Sequence, residues 1–392
     1  MPFASEGLEP GIGLALSGGG FRATLFHCGA LWRLNECRYL SKLARISSVS
    51  GGSITAGMLA LKWKTLTFAN GQATNLGQEL IDPLRAFCGQ AIDVPSIIEG
   101  ALLPWKTIGK AVQAHYDKAL FKGRTLQDLP DDVTFVFNST NLATGVDFRF
   151  SKPYAGDYRI GLIRNPTFPL ALAVAASSAF PPVLSPVELD VDTQAFERTG
   201  GSDLYDLVDY RRQILLTDGG AYDNLGLETL WRRFETLLVS DAGAPFSYGP
   251  SQHHDWLHQS LRALDIATNQ SRAMRKRVLI DLLERKVRKG TYWGIMTWIE
   301  KYQAPNALPV PRETTDQLAK IRTRLNPFSE AEQCSLINWG YAVSDAALRK
   351  WVDPALPAPP GWPYPAYALD RPLDKNVKIE PKTDLSDPGE AP

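Results

Sequence analysis

Cysteine is scarce in this sequence, and neither sign of charge predominates. Four cysteines and no C-x-x-C pair exclude a disulfide scaffold, so we expect buried thiols in a reducing compartment, which places the protein in the cytoplasm. The 42 basic and 42 acidic residues cancel, which argues against a general nucleic-acid-binding protein, because phosphate affinity needs a basic surface. The cysteines are Cys28, Cys37, Cys88 and Cys334.

The sequence also lacks a hydrophobic run that is long enough to span a membrane and free of prolines. The first ten residues, MPFASEGLEP, have neither the basic nor the apolar region of a secretion signal. Residues 165–187 carry no charge, but they contain five prolines, and the apolar stretch between prolines covers only residues 170–180. Because proline interrupts helices, we expect a short buried helix there.

What the chain does contain is an alternation of strand-like and helix-like segments. Strands are predicted at residues 11–17, 45–49, 134–138, 146–150, 214–217, 237–240 and 291–300. Helices are predicted at residues 21–35, 52–64, 170–180, 225–235, 254–289 and 329–351. This alternation predicts an α/β fold, a three-layer sandwich in which helices cover both faces of a mainly parallel central sheet.

The composition also predicts how the chain is divided. One domain is expected over residues 1–352, with a motif core at about residues 11–244 and a helical extension at about residues 250–352. Residues 190–209 are polar and acidic, which predicts a surface insertion. Residues 353–392 contain 10 of the 28 prolines, so an extended wrap or partial disorder is expected.

The segment SGGGFR, residues 17–22, joins the first predicted strand to the first predicted helix. Its glycines permit a tight turn with exposed N–H groups beside a helix N-terminus, which suits a phosphate or a developing oxyanion. A purely structural turn is one alternative. A dinucleotide-binding loop is another, since Gly18, Gly20 and Ala23 match G-x-G-x-x-A, but the next strand ends at Ser50 rather than at an acidic residue.

Two further segments follow predicted strands. In SVSGG, residues 48–52, Ser50 has the setting of a nucleophile elbow, although Ser48 stands where the strict G-x-S-x-G motif has glycine. In TDGG, residues 217–220, Asp218 ends a strand. The alternative for the serine segment is a plain turn, and the alternative for Asp218 is an aspartate that only caps a turn. If the strands are parallel, their carboxyl ends share one edge, where N–H donors, a serine and a carboxylate would meet, as acyl transfer requires.

In this order, SGGGFR, SVSGG and DGG resemble the patatin-like phospholipase family, and SGGGFRA is also similar to its cytosolic phospholipase A branch. Residues 137–145 and 175–181 are similar to the family as well, so the resemblance covers about residues 11–244. It implies a patatin-like fold and a serine lipid acyl hydrolase of phospholipase A or lysophospholipase type, acting on a phospholipid or another lipid ester. No metal or cofactor is expected, since no calcium-binding loop is evident.

The resemblance also implies roles for individual residues. Ser50 would be the nucleophile, and Asp218 its partner in a Ser–Asp dyad. Arg22 occupies the basic position after the glycines, where it would either bind an anionic headgroup or hold the turn in place. The oxyanion hole would be formed by the backbone of four glycines, Gly18, Gly19, Gly20 and Gly51.

A dyad requires Asp218 itself to accept the serine proton, so the histidines bear on it. A Ser…Asp…His order would allow a later histidine as the base, but the segment HHDWLHQ has the composition of a solvated helix start. We therefore expect that replacing any single histidine leaves activity intact. The five histidines are His27, His115, His253, His254 and His258.

The basic segment from Arg272 to Lys289 contains eight Lys or Arg residues and two acidic ones, with apolar residues at helical spacing. It would either lie on an anionic membrane or pack on the core with a solvated basic face. For the chain as a whole, two alternatives to the hydrolase remain open: a catalytically inactive or ligand-gated acyl-binding protein, and a nucleotide-binding protein on the same fold.

Overall fold

The computed structural model describes residues 7–90, 106–181, 184–246 and 255–379. The helices are α1 Gly20–Glu36, α2 Gly51–Lys62, α3 Asp82–Cys88, α4 Lys106–Tyr116, α5 Leu170–Ser177, α6 Asp209–Arg212, α7 Gly220–Asp223, α8 Trp256–Glu284, α9 Arg312–Ala319 and α10 Glu330–Trp351. The strands are β1 Glu9–Leu16, β2 Leu43–Val49, β3 Phe68–Ala69, β4 Gln72–Ala73, β5 Thr134–Asn141, β6 Asp147–Phe150, β7 Tyr154–Asp157, β8 Gly161–Arg164, β9 Val187–Leu189, β10 Phe196–Glu197, β11 Ile214–Asp218, β12 Phe234–Asp241 and β13 Lys289–Gly294.

One large mixed sheet forms the centre of the molecule. Its middle is parallel, in the order β5-β2-β1-β12-β13. Beyond β5 the sheet continues with the antiparallel strands β6, β7, β8 and β10, and β11 pairs antiparallel with both β5 and β9. The predicted α/β fold with a mainly parallel central sheet is confirmed for these central strands.

Consecutive residues of the parallel strands enter different cores, which shows that helices cover both faces. Leu16 and Leu238 belong to the larger core together with α1, α2, α5 and α10. Ala15 and Leu237 belong to a smaller core that includes Leu279 of α8. Because neighbouring side chains of a strand point to opposite faces, the sheet is the middle layer of three.

The helix predicted at residues 225–235 is wrong: the chain forms a series of turns there and enters β12 at Phe234. Gly226 adopts a left-handed conformation with φ 71°, and the Asp223 carboxylate accepts from the N–H groups of Leu225 and Glu228. A side chain that binds these N–H groups competes with helix formation. The apolar residues of the segment still fill the smaller core.

Several boundaries also differ from expectation. The strand expected at 291–300 ends at Gly294 and is followed by a 3₁₀ turn at Ile299–Tyr302. The acidic segment 190–209 is mostly exposed, yet it contributes the short edge strand β10. The uncharged stretch becomes the eight-residue buried helix α5. Among the described helices, none combines the length and hydropathy needed to cross a bilayer.

The described part of the proline-rich tail, residues 353–379, packs on the domain. The Asn338 amide on α10 donates to the carbonyl oxygens of Tyr364 and Tyr367, each at 2.9 Å, and Leu369 is fully buried in the larger core. These residues form the extended wrap that the prolines favour. Residues 380–392 lie outside the described residues.

Candidate active site

Ser50 occupies the sharp turn between β2 and α2. Its backbone has φ 51° and ψ −121°, a sparsely populated conformation for a residue with a side chain, and the residue is 9% exposed. A carbon atom added at Gly51 would lie 2.0 Å from the Gly20 carbonyl oxygen, and one added at Gly52 would lie 2.4 Å from that of Leu16. Both glycines are therefore required for the turn to approach the glycine loop this closely.

A cluster of hydroxyl groups fixes the backbone of this turn. The Ser50 N–H donates to both the carbonyl oxygen and Oγ of Ser177, each at 3.1 Å. Ser177 Oγ donates to the Asn138 carbonyl oxygen at 2.6 Å and lies 2.8 Å from Ser53 Oγ. Since Ser177 ends α5, this helix positions the serine turn. Only the run of alanine and serine at residues 175–179 hints at such a role in the sequence.

Asp218 is buried at the end of β11. Its Oδ1 accepts from the Gly220 N–H at 2.7 Å, and its own N–H donates to the Ala179 carbonyl oxygen at 2.9 Å. The Ser50 hydroxyl is the other group whose hydrogen bonding lowers the pKa of this carboxyl. The contact between the two side chains does not reach full hydrogen-bond geometry, and the buried Oδ2 of Asp218 has no hydrogen-bond partner among the described residues. Burial outweighs both hydrogen bonds and raises the pKa of Asp218 to about 6.

The structure brings Ser50 and Asp218 together, but through an arrangement different from the expected one. The sequence predicted that β11 is parallel to β2, whereas β11 runs antiparallel to β5 and β2 runs parallel to it. Both strands lie along the same side of β5 and point toward each other. The two side chains therefore meet where two opposed carboxyl ends converge, rather than along one row of parallel ends.

The glycine loop touches the serine turn and supplies N–H groups beside it. Gly18 does not contribute as expected, because its N–H donates to the Asn224 carbonyl oxygen at 3.1 Å. The N–H groups of Gly19, Gly20 and Gly51 make no hydrogen bond to another described residue. Gly20 and Gly51 begin α1 and α2, where the first N–H groups lack partners within the helix. These three donors are the groups that can bind an anion here.

Arg22 does not face the site. It is 1% exposed, and its guanidinium donates to the carbonyl oxygens of Ala319, Ile321 and Ala242 at 2.7, 2.7 and 2.8 Å. Of the two roles predicted for Arg22, binding an anionic headgroup is therefore wrong, and holding the glycine turn in place agrees with these contacts. The side chain instead fastens the start of α1 to the end of α9, to the residues that follow α9, and to the loop after β12.

No described histidine hydrogen-bonds to Ser50 or Asp218. His27 is buried; its Nε2 donates to the Ser17 carbonyl oxygen at 2.9 Å, and burial lowers its pKa to about 4, so it is neutral. His115 packs against Phe87. His258 contacts the exposed Asp255 at the start of α8. The other two candidates, His253 and His254, lie outside the described residues.

The basic segment at residues 272–289 is largely engaged with the domain. Arg272 pairs with the fully buried Asp241 at 2.9 Å, and Arg275 pairs with Glu228 at 2.8 Å. Arg288 is 2% exposed. Several cations of the segment therefore point inward, as the alternative of packing on the core requires, and membrane contact stays a prediction for the exposed ones. Within it, four basic residues remain exposed: Arg277, Arg285, Lys286 and Lys289.

Solved structures of related shape have low sequence identity to this chain. A complex of human GIVD cytosolic phospholipase A2 with methyl gamma-linolenyl fluorophosphonate and terbium chloride is 14% identical, covers 86% of this chain and 57% of its own, and gives a TM-score of 0.49. A second structure of that human protein is 15% identical, with coverages of 60% and 46% and a TM-score of 0.40. VipD from Legionella pneumophila is 12% identical, with coverages of 87% and 66% and a TM-score of 0.31.

The chain thus spans about half to two thirds of the length of these solved chains. No curated protein matches it. The sequence model of the patatin-like phospholipase family matches residues 14–231, more than half of the chain, and this range includes the glycine loop, Ser50 and Asp218. The chain belongs to the patatin-like phospholipase family.

Proposed function

We propose that the protein is a serine lipid acyl hydrolase that uses a Ser50–Asp218 dyad and an acyl-enzyme intermediate. The observation that carries the proposal is the contact between the elbow serine and a buried carboxylate whose Oδ2 has no well-formed hydrogen bond. A carboxyl group with a pKa of about 6 is ionised at neutral pH, yet it is a better proton acceptor than an exposed aspartate.

Acylation would begin when Ser50 Oγ attacks the ester carbonyl carbon and Asp218 accepts the hydroxyl proton. The carbonyl oxygen becomes an oxyanion, which the N–H groups of Gly19, Gly20 and Gly51 would stabilise. The intermediate then collapses, the bond from the carbonyl carbon to the alcohol oxygen breaks, and Asp218 returns the proton to the leaving alcohol. The acyl group remains on Ser50.

Deacylation repeats these steps with water as the nucleophile. Asp218 accepts one proton of the water as its oxygen bonds to the acyl carbon. The bond from that carbon to Ser50 Oγ then breaks, and the proton on Asp218 passes to Oγ. A free carboxylic acid is released, and the dyad returns to its starting state.

The test is covalent labelling with a fluorophosphonate, which reacts with activated serines. We expect the wild-type protein to carry the label on Ser50, and Ser50→Ala to carry none. Ser260→Ala is a matched control, since Ser260 is exposed on α8 and bonds only to the backbone of its own helix. Labelling that persists in Ser50→Ala contradicts the proposal.

The substrate class can be tested in the same preparation. Mass spectrometry of products from a mixed lipid extract, compared between wild type and Ser50→Ala, should show fatty acids and lysolipids that depend on Ser50. The acyl chain, the headgroup and the cleaved position would be read from these products. A catalytically inactive acyl-binding protein would give neither label nor products.

A nucleotide-binding function is less well supported by the glycine loop. Gly18 N–H is already occupied, and the Thr323 carbonyl oxygen lies so close to Gly20 that an added carbon would approach it to 1.6 Å. The loop therefore offers a phosphate few N–H groups and little space on that side. Thermal stabilisation by a nucleotide, undiminished in Ser50→Ala, would favour this second function.

Peripheral contact with an anionic membrane, and a cytoplasmic location, stay predictions. The cations available for such contact are the exposed ones near the end of α8, of which Arg285 and Lys289 pair with Asp281 and Glu235. Flotation with anionic and neutral liposomes tests the contact. Binding to anionic liposomes that salt abolishes would support it.

A further inference from the structure

The side-chain amide of Asn224 lies beside both members of the proposed dyad. A carbon added at Gly18 would lie 2.4 Å from Asn224 Oδ1 and 3.1 Å from Ser50 Cβ. A carbon added at Gly220 would lie 2.7 Å from the same Oδ1 and 3.0 Å from Asp218 Oδ1. Asn224 Oδ1 therefore lies near Ser50 on one side, across Gly18, and near Asp218 on the other, across Gly220.

The backbone that carries this amide is held firmly. The Asn224 carbonyl oxygen accepts from the Gly18 N–H at 3.1 Å, and the Asp223 carboxylate accepts from the Leu225 and Glu228 N–H groups at 3.1 and 2.8 Å. Arg275 of α8 lies 3.6 Å from Asp223. A side chain on such a turn loses little freedom when it binds a small molecule.

The amide itself is not used by the fold. It is partly exposed, and no described residue hydrogen-bonds to its oxygen or nitrogen. An amide oxygen can accept a hydrogen bond from one O–H of a water molecule while a nearby carboxylate accepts a hydrogen bond from the other. A side chain at position 18 or 220 would collide with the amide oxygen, so the two glycines allow Asn224 to lie this close to the dyad.

We propose that the Asn224 amide orients the hydrolytic water of the deacylation step. This inference rests on the proposed Ser–Asp mechanism. The water donates one hydrogen bond to Asn224 Oδ1 and its other proton to Asp218, while its oxygen forms the bond to the acyl carbon. Asn224 neither gains nor loses a proton. It contributes by orienting the water so that a lone pair on the water oxygen points at the acyl carbon.

This role distinguishes water from an alcohol as the acyl acceptor. Methanol has one hydroxyl proton, which must go to Asp218, so it has none left to donate to Asn224. Loss of the amide should therefore slow hydrolysis of the acyl-enzyme more than its methanolysis. The ratio of methyl ester to free acid, measured from one acyl-enzyme population, reports this difference directly.

The experiment uses the full chain, a p-nitrophenyl ester and methanol. We expect Asn224→Ala to keep the burst of p-nitrophenol, to lower steady-state hydrolysis about tenfold and to raise the product ratio by a similar factor, as loss of one hydrogen bond predicts. Asn224→Asp keeps an acceptor oxygen and should keep the ratio near wild type, while its negative charge beside Asp218 should lower both rates together. Asn224→Ser serves as a second variant that lacks the amide, should the alanine variant be unstable.

Thr140→Val is the matched control. It removes a hydrogen bond of 2.9 Å to the Asp218 carbonyl oxygen, so it should slow both acceptors equally and leave the ratio unchanged. An unchanged ratio in Asn224→Ala, with both rates lowered together, would overturn the inference and leave Asn224 a structural role. A wild-type protein with no burst and no methyl ester would instead refute the acyl-enzyme mechanism.

Discussion

Val49 and Asp218 pair with adjacent residues of the same strand, although their own strands run in opposite directions. Val49 ends β2 opposite Asn138 of β5, and Asp218 ends β11 opposite Ser139. The register of β5 therefore determines how far the turn at Ser50 lies from the carboxylate. A slip of either β2 or β11 along β5 would change the distance between the two groups.

The first prediction concerns the pH dependence of hydrolysis. Asp218 must be ionised to accept the serine proton, and burial raises its pKa to about 6. We expect kcat/KM to fall as the pH drops through about 6 and to reach a plateau above pH 7. Each histidine-to-alanine variant should keep this profile. Loss of turnover in a folded His254→Ala or His258→Ala protein would contradict the dyad.

The second prediction concerns the cost of the buried charge. The pKa of Asp218 is about 6 in the folded chain and near 3.8 for an ordinary aspartate, so the folded state binds the proton more tightly. Ionisation above pH 6 therefore destabilises the fold, by at most about 3 kcal/mol, and the cost vanishes below pH 4, where both states are protonated. Asp218→Asn should be inactive yet more stable than wild type in urea at pH 8, and equally stable at pH 4.

The third prediction contrasts two glycines beside the nucleophile. An alanine Cβ at position 51 would lie 2.0 Å from a backbone oxygen, whereas one at position 18 would lie 2.4 Å from Asn224 Oδ1, the end of a side chain, and 3.1 Å from Ser50 Cβ. Backbone cannot yield as cheaply as side chains, so Gly51→Ala should lower the melting temperature far more than Gly18→Ala. Gly18→Ala should remain folded but lose activity, because Ser50 and Asn224 must move. Equal melting temperatures would refute this contrast.

These contacts show which parts of the site are readable from the sequence. The turn at Ser50 is local, because its glycines and the following apolar helix are contiguous, and the sequence predicts it. The direction of β11 is set by pairing with residues about 75 positions earlier, so no local pattern reveals it. The helix predicted at residues 225–235 does not form, because Gly226 and the Asp223 carboxylate favour turns there.

The fourth prediction concerns Arg22, whose three acceptors lie 220 to 299 positions away in the chain. That distance explains why the sequence left its role open. Arg22→Lys keeps the charge but cannot reach all three carbonyl oxygens, so the free energy of unfolding should fall by roughly 2–4 kcal/mol. Headgroup preference, measured with phosphatidylcholine and phosphatidylglycerol substrates, should not change. A stable variant with altered preference would restore the substrate-binding role.

The fifth prediction separates packing from membrane contact in the basic segment. Arg272→Glu removes the cation that is paired with the buried Asp241 and adds a second negative charge, so we expect a loss of about 3–5 kcal/mol in unfolding free energy. Lys286→Glu is the matched charge reversal on an exposed residue of the same segment, and should change stability by less than about 0.5 kcal/mol. If the exposed cations bind anionic liposomes, only Lys286→Glu should weaken flotation while leaving urea unfolding unchanged. Flotation and unfolding that are both unaffected in Lys286→Glu would assign the segment to packing alone.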